Sequence, residues 1–237
     1  TKADKVIEHI RKIDYKKRSC VKEITLDMAN SMKLISKRCF PKATQVTDRF
    51  HVQKLALEAL QEIRIKHQWE AMDFENQLIL QAKRENQTYI PELLANGDSV
   101  KQLLARSRYV PYKSREKWTE NQNERAQLLF GLYPDIKTAY YLSQQLRGIY
   151  NSNNDKHIAM TKLAHWYRNV EESGFKNFNI LLNTITFNYR SILNYFDNRS
   201  TNASAESFNA KIKAFRSQFR GVRKIDFFLF RLSNLFA

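Results

Sequence analysis

The sequence has 237 residues, of which 43% are hydrophobic and 27% charged, so it is long enough and apolar enough to form one large domain or two small ones. Disorder is therefore not expected, and the sequence contains no run of about 18 apolar residues that would span a membrane. Forty Lys and Arg against 24 Asp and Glu give a formal charge of +16, which favours a polyanionic partner. Cys20 and Cys39 fit neither a metal site nor a disulfide framework and no signal peptide opens the chain, which points to a reducing cytoplasm.

Glycine and proline are rare, five and four residues, which indicates a largely helical protein. The exception lies near the start. Helical spacing predicts a short helix over 4–14, followed by a basic turn at 16–18. Beyond them we predict a strand over 21–27, a helix over 29–39 and a strand over 43–48. Strand, helix and strand form a βαβ unit, so the two strands should be parallel.

Each predicted strand ends in an aspartate, Asp27 or Asp48, and His51 follows about one turn later. Open α/β sheets place their ligands beyond the carboxyl ends of parallel strands. Paired carboxylates there suit Mg²⁺ or Mn²⁺, because both ions prefer oxygen ligands. Each aspartate could instead be a turn residue or a helix N-cap. The pattern favours capping for Asp48 and a metal role for Asp27.

From residue 51 onward the pattern is helical and is interrupted by turn signals. We predict helical segments near 51–86, 99–107, 115–131, 135–150, 156–172 and 175–196. Aromatic residues at helical spacing belong to a core more often than they stack on bases. Those assigned to the core are Trp118, Tyr140, Tyr141, Tyr150, Trp166, Tyr167, Phe178, Phe187 and Tyr195. This block therefore indicates an all-helical subdomain.

A helix with two faces is predicted to begin after Thr201 or Asn202, either of which could cap it. Its apolar face, assigned to the core, consists of Phe208, Ile212, Phe215 and Phe219. The opposite face begins with Glu206 and Asn209 and continues with cations. That arrangement suits one metal-binding acid beside a phosphate backbone, or else a solvated face whose acid favours the helix dipole.

The cations that we expect to contact phosphates are Lys211, Lys213, Arg216, Arg220, Arg223 and Lys224. Such contacts depend on salt and are blind to sequence. For Arg223 and Lys224 a solvated surface role is the open alternative.

Several motifs carry a resemblance to a known family. They are VKEITLDM at 21–28, CFPKA at 39–43, VTDRFHVQK at 46–54, TNASAESFNAKIK at 201–213 and GVR at 221–223. In this order, and with a helical insertion between them, they resemble the DDE transposases of bacterial insertion sequences of the ISL-three type. The resemblance covers nearly the whole chain.

The resemblance implies an RNase H-like domain in which three acids hold two divalent ions, Mg²⁺ or Mn²⁺. One ion would activate water or a DNA 3′-hydroxyl, and the other would stabilise the leaving oxygen. Asp27 matches the second acid of the family and Glu206 the third, while Asp48, His51 and Asn209 are expected to support them. Asp48 remains an alternative to Asp27 as the second ligand, although strand order favours Asp27.

The family's first acid comes from an opening strand, but only a short helix and a basic turn precede the strand at 21–27. We therefore expect a C-terminal fragment of a longer transposase that is inactive alone. The expected fold class is α/β with dominant helix content. It comprises a partial RNase H-like core over 1–51, a helical insertion over 52–198, and a C-terminal catalytic helix and tail over 199–237.

The implied function is DNA transposition by metal-dependent phosphodiester hydrolysis and strand transfer. The expected partners are double-stranded DNA, as transposon ends and target, and further copies of the chain assembled on that DNA. The expected location is the bacterial cytoplasm, at the nucleoid. Two alternatives stay open, a non-catalytic nucleic-acid-binding or assembly module and an RNase H-like nuclease that is not a transposase.

Overall fold

A computed structural model describes residues 2–152, 155–218 and 224–236. Across these ranges the protein is mostly helical, with two short strands, β1 (Glu23–Leu26) and β2 (Thr44–Thr47). The helices are α1 (Ala3–Arg11), α2 (Tyr15–Ser19), α3 (Asn30–Cys39), α4 (Arg49–Arg84), α5 (Val100–Arg106), α6 (Glu120–Leu132), α7 (Pro134–Asn151), α8 (Lys156–Ser173), α9 (Asn179–Asn198), α10 (Ala203–Gln218) and α11 (Ile225–Phe236). Short 3₁₀ helices occupy Ser107–Tyr112, Arg115–Lys117 and Lys176–Phe178.

The predicted βαβ unit is confirmed. Strands β1 and β2 pair in parallel with Leu26 opposite Thr47, and α3 connects them. Helix α3 packs on α1 through buried Ile7, Ile35 and Cys39. The α/β class, inferred from the βαβ unit, and the dominance of helices, inferred from the rarity of Gly and Pro, are therefore correct.

The first predicted helix is too long, and the predicted basic turn is wrong. Helix α1 ends at Arg11, and residues 16–18 lie in the second helix, α2. The reason is local, because the Asp14 side chain accepts a hydrogen bond from the Lys16 backbone N–H at 2.7 Å and so caps a new helix.

Helix α4 is one continuous helix of 36 residues, about 54 Å long at 1.5 Å per residue. The buried residues in its N-terminal half, Val52, Ala56, Leu60 and Ile63 among them, belong to the main hydrophobic core. That core also contains Val46 of β2 and residues of α7, α8 and α9. The strands and the helical block thus share one core, while the division of the chain into three parts remains a prediction.

Helix α9 fixes β2 from the side. The Ser191 and Thr47 hydroxyls lie 2.7 Å apart, and the Asn194 side-chain amide donates to the Gln45 carbonyl oxygen at 3.0 Å. These contacts hold the strand ends at a defined place relative to the end of α9, from which the chain leads into α10.

Most of the aromatic residues assigned to the core are buried, including Tyr140, Tyr150, Trp166, Phe178 and Tyr195. The core assignment is wrong for Tyr141 and Phe187, which are 49% and 85% exposed. Helical spacing alone could not separate them, because their neighbours Tyr140 and Asn188 take the inward-facing positions.

The apolar face of α10 is only partly buried. Phe215 is buried with its ring 5.5 Å from that of Phe228 in α11, but Phe208 is 47% exposed and Ile212 is half-buried. The assignment of Phe208 to the core is therefore wrong, since α10 packs mainly against α11 rather than on the main core. Phe219 lies outside the described residues. None of the helices described is long and apolar enough to cross a membrane.

A buried carboxylate joins the loop before α5 to α6. The Asp98 side chain is 1% exposed and forms ion pairs with Arg106 and with Arg125, the latter at 3.0 Å. Burial alone would raise the pKa of Asp98, but the hydrogen bonds and charges of the two arginines lower it below its ordinary value. The pair with Arg106 is partly open to water, because the Arg106 side chain is 53% exposed.

We expect Asp98→Asn to lower the free energy of unfolding at pH 7 by about 2–4 kcal/mol, because both arginines lose their counter-charge in a buried site. Because the folded pKa is lowered, this contribution is present above the ordinary aspartate pKa and is lost as the pH falls through the folded value. Urea unfolding at several pH values measures both effects. The exposed Asp73→Asn is the control, and an equal loss in the two variants would contradict the prediction.

Candidate active site

The two aspartates leave adjacent strand ends. Asp27 directly follows β1 and Asp48 directly follows β2, and the Asp48 backbone N–H donates to the Leu26 carbonyl oxygen at 2.9 Å. Neighbouring strands lie about 4.8 Å apart. The structure therefore brings the two predicted acids together at the carboxyl edge of the sheet.

Asp48 is buried, with 2% of its surface exposed, and both of its oxygens are occupied. Oδ1 accepts from the Phe50 backbone N–H at 2.9 Å and so caps α4, as the sequence favoured. Oδ2 accepts from the Asn202 backbone N–H, also at 2.9 Å. Because both oxygens receive backbone donors, the geometry supports a positioning role for Asp48.

The Asp48–Asn202 hydrogen bond joins residues 154 positions apart in the chain. The Asn202 carbonyl oxygen in turn accepts from the Glu206 N–H at 2.8 Å, the first helical hydrogen bond of α10. The Thr201 hydroxyl is 3.4 Å from the Ala203 nitrogen and also contributes to the cap. Glu206 thus lies one helical turn, a rise of about 6 Å, beyond the residue bound to Asp48.

Of the three candidate acids, Asp27 and Glu206 have carboxylate oxygens that accept no hydrogen bond from the described residues. Asp27 is half-buried, and its Oδ1 accepts from the Ala29 backbone N–H at 3.0 Å. In the described part of the chain, neither the other Asp27 oxygen nor the exposed Glu206 carboxylate has a hydrogen bond or an ion pair. Unpaired carboxylate oxygens are suitable ligands for Mg²⁺ or Mn²⁺. However, no three His, Cys, Asp or Glu side chains within residues 2–152, 155–218 and 224–236 are arranged to hold a metal ion.

His51 and Asn209 flank this region. His51 lies in the first turn of α4, half-buried, with its ring 5.8 Å from that of Phe50 in an edge contact. Asn209 is exposed on α10, three residues after Glu206. Among the residues described, no hydrogen bond links either side chain to Asp27 or Glu206, so their supporting role remains a prediction.

The predicted phosphate-binding cations are exposed where the structure describes them. These are Lys211, Lys213 and Arg216 on α10, and Lys224 just before α11. Lys213 and Arg216 follow Glu206 by seven and ten residues, a spacing that returns to the same helix face. Arg220 and Arg223 lie outside the described residues.

Two residues near the strand ends were not assigned to the site by sequence reasoning. Arg199, with a left-handed φ of 56°, donates to the carbonyl oxygens of Tyr150 at 3.3 Å and Ser152 at 2.6 Å, and so ties the end of α9 to the end of α7. Tyr150 is fully buried, and burial together with Tyr195 and Asp48 raises its pKa far above the ordinary value. No sequence signal marks Arg199, because its role depends on a backbone turn.

We expect Asp48→Ala to lower the free energy of unfolding by about 2–4 kcal/mol and to speed hydrogen exchange over residues 202–209, because two backbone N–H groups lose their buried acceptor. Asp48→Asn, which keeps one acceptor oxygen, should have an intermediate effect. Hydrogen exchange followed by mass spectrometry measures the change. Asp27→Ala is the control, and unchanged exchange over 202–209 in both Asp48 variants would contradict the positioning role.

The comparisons with known proteins agree with the motifs at these positions. A family model described as Transposase, of the ISL-three DDE type, matches residues 1–232. Neither the comparison with curated proteins nor that with solved structures gave a significant match. The family match spans the strand ends, the helical block, α10 and the first eight residues of α11. The chain therefore belongs to the ISL-three-type DDE transposase family.

Proposed function

We propose that the chain carries the second and third acids of a transposase active site, for cleaving and joining DNA strands by metal-dependent phosphodiester chemistry. The observation that carries this proposal is the Asp48–Asn202 hydrogen bond, because it joins the α10 segment that contains Glu206 to the strand ends that contain Asp27. The family membership and the charge of +16 support DNA as the substrate.

In this proposal Asp27 and Glu206 hold divalent ions, Mg²⁺ or Mn²⁺, two of them once the site is complete. The ions would supply the Lewis acidity that phosphodiester attack needs. Asp48 holds the start of α10 in place through its two backbone hydrogen bonds. His51 and Asn209 line the approach to the two acids and contact the substrate strand.

The C-terminal cations bind the DNA backbone, with Lys213 and Arg216 on the α10 face that carries Glu206. Lys211, on another side of α10, and Lys224 are also exposed, and Arg220 and Arg223 extend the same set in sequence. Each would contribute a salt-dependent contact without reading bases. We further propose that the parts around the strands complete an RNase H-like core, and that several copies of the protein assemble on DNA in the bacterial cytoplasm, at the nucleoid.

The first test uses a transposase that includes this chain together with the family's first acid. We expect Asp27→Asn and Glu206→Gln each to reduce strand transfer of terminal-inverted-repeat DNA at least about 100-fold, more than is typical for loss of an outer-shell partner. DNA affinity should stay within about threefold of the wild-type value, because neither variant removes a phosphate-binding cation.

The exposed Glu124→Gln is the matched control, since it also neutralises one carboxylate on a helix. Strand transfer that survives both substitutions would reject the catalytic assignment. That outcome would favour the alternative of a binding or assembly module, whose DNA affinity should respond little to Mg²⁺. Cleavage without any joined product would instead favour a nuclease.

The second test uses the 237-residue chain alone. We expect no nicking of supercoiled plasmid in the presence of Mn²⁺, because Asp27 and Glu206 supply two of the three acids that the family uses. Gel electrophoresis separates nicked from supercoiled DNA. Nicking by the purified chain that Glu206→Gln abolishes would show that these 237 residues also supply the acid that completes the site with Asp27 and Glu206.

A further inference from the structure

A wide groove opens in the helical block beside the candidate active site. Its volume is about 1070 Å³, and its walls come from residues 112–118, α6 and α7. Arg49 and Gln53, in the first turns of α4, line part of it. Because Arg49 directly follows Asp48, the groove reaches the residue next to the strand end that carries Asp48.

The groove is strongly basic. Its cationic side chains are Arg49, Lys113, Arg115, Lys117, Lys137 and Arg147. A single carboxylate, Glu116, lies among the described residues that line it. None of the six cations forms an ion pair with any residue that the structure describes. Charges that the protein leaves unpaired along one groove favour a polyanion.

Aromatic side chains line the same groove as these cations. Trp118, Phe130 and Tyr140 form one wall, with ring centroids 5.2 to 6.1 Å apart. The Trp118 ring is held in place by its indole N–H, which donates to the Val110 carbonyl oxygen at 3.1 Å. Tyr112 and Tyr141 also line the groove and are 46% and 49% exposed, so their rings are open to a ligand.

Two glutamines at the groove retain unused donors. The Nε2 atoms of Gln53 and Gln144 are buried and have no hydrogen-bond partner in the described part of the chain. Arg147 donates to the Gln144 Oε1 at 3.1 Å, so the amide orientation of Gln144 follows from a cation of the same groove. Phosphate or base oxygens that reached these amides would satisfy them.

We propose that this groove binds an unpaired segment of a DNA strand next to the catalytic acids, with phosphates on the cations and bases stacked on Tyr112 and Tyr141. The choice of DNA depends on the proposed function. The choice of a single strand depends on the groove itself, because aromatic rings stack on base faces that a duplex keeps covered. This surface is separate from the α10 cations, which follow Glu206.

The charge test measures fluorescence anisotropy of the 237-residue chain with a labelled single-stranded DNA of about 12 nucleotides, within the range of known site sizes. We expect the double variant Lys117→Gln, Lys137→Gln to bind at least about tenfold more weakly near 0.1 M salt, and the salt slope to fall by about 1.4. Both lysines are exposed, so the variant should fold. The matched control is Lys42→Gln, Lys176→Gln, two exposed lysines outside the groove.

The stacking test uses Tyr141→Ala, which should weaken single-strand binding about five- to a hundredfold while leaving the salt slope unchanged. Tyr141→Phe keeps the ring and should bind as the wild-type chain does. Phe187→Ala is the control, because it removes an exposed ring outside the groove. Equal loss with Phe187→Ala would overturn the role of Tyr141.

The proposal is overturned if the groove and control lysine variants bind alike, or if the groove variants weaken duplex DNA as much as single strands. Asp27→Asn and Glu206→Gln should leave single-strand binding unchanged, which separates this proposal from the catalytic one. If the acid variants abolish strand transfer but the groove variants bind single strands normally, only the catalytic assignment is supported. If the groove variants weaken single-strand binding but the acid variants keep strand transfer, only the groove proposal is supported.

Discussion

The structure depends on one buried carboxylate. Asp48 ends β2, caps the long helix α4 and receives the backbone N–H of Asn202, so three segments meet at one side chain that is 2% exposed. A buried carboxylate is costly unless donors surround it, and these two backbone donors offset that cost. Each Asp48 oxygen already accepts a backbone hydrogen bond, whereas only one Asp27 oxygen does. This difference is the reason why the proposed function assigns Asp27 to the metal and Asp48 to positioning.

The helical block and the sheet share one hydrophobic core. Val46 of β2, the first half of α4 and the inner faces of α7 and α9 share one core. Because side chains in such a core are closely packed, α4 fixes the position of the strand ends relative to the helices of the block. The basic groove consequently begins at Arg49, one residue after Asp48. A DNA strand bound in the groove as proposed would pass Arg49, the residue next to Asp48.

The charged side chains fall into two groups. Some form ion pairs within the fold, and others form none with the described residues and could bind an anionic partner. Asp98 forms ion pairs with two arginines, and their hydrogen bonds and charges lower its pKa against the effect of burial. The groove cations and those of α10 form no ion pair with any of the described residues. A net charge of +16 would otherwise destabilise the fold by self-repulsion. An anionic partner such as DNA relieves that repulsion, which connects the composition to the proposed substrate.

The sequence by itself determined the local structure and the family. Short runs rich in β-branched and apolar residues predicted β1 and β2, and helical spacing predicted α3 and most later helices, because both signals depend on neighbouring residues. It also identified Asp27, Asp48 and Glu206 as candidate acids. It misjudged Phe208, Tyr141 and Phe187, since burial depends on which face a distant element covers. Only the tertiary structure decided the role of Asp48, the position of Arg199 and the groove. Each arises from contacts between residues far apart in the chain, and a hydrogen bond such as that of Asp48 with Asn202 leaves no periodic trace in the sequence.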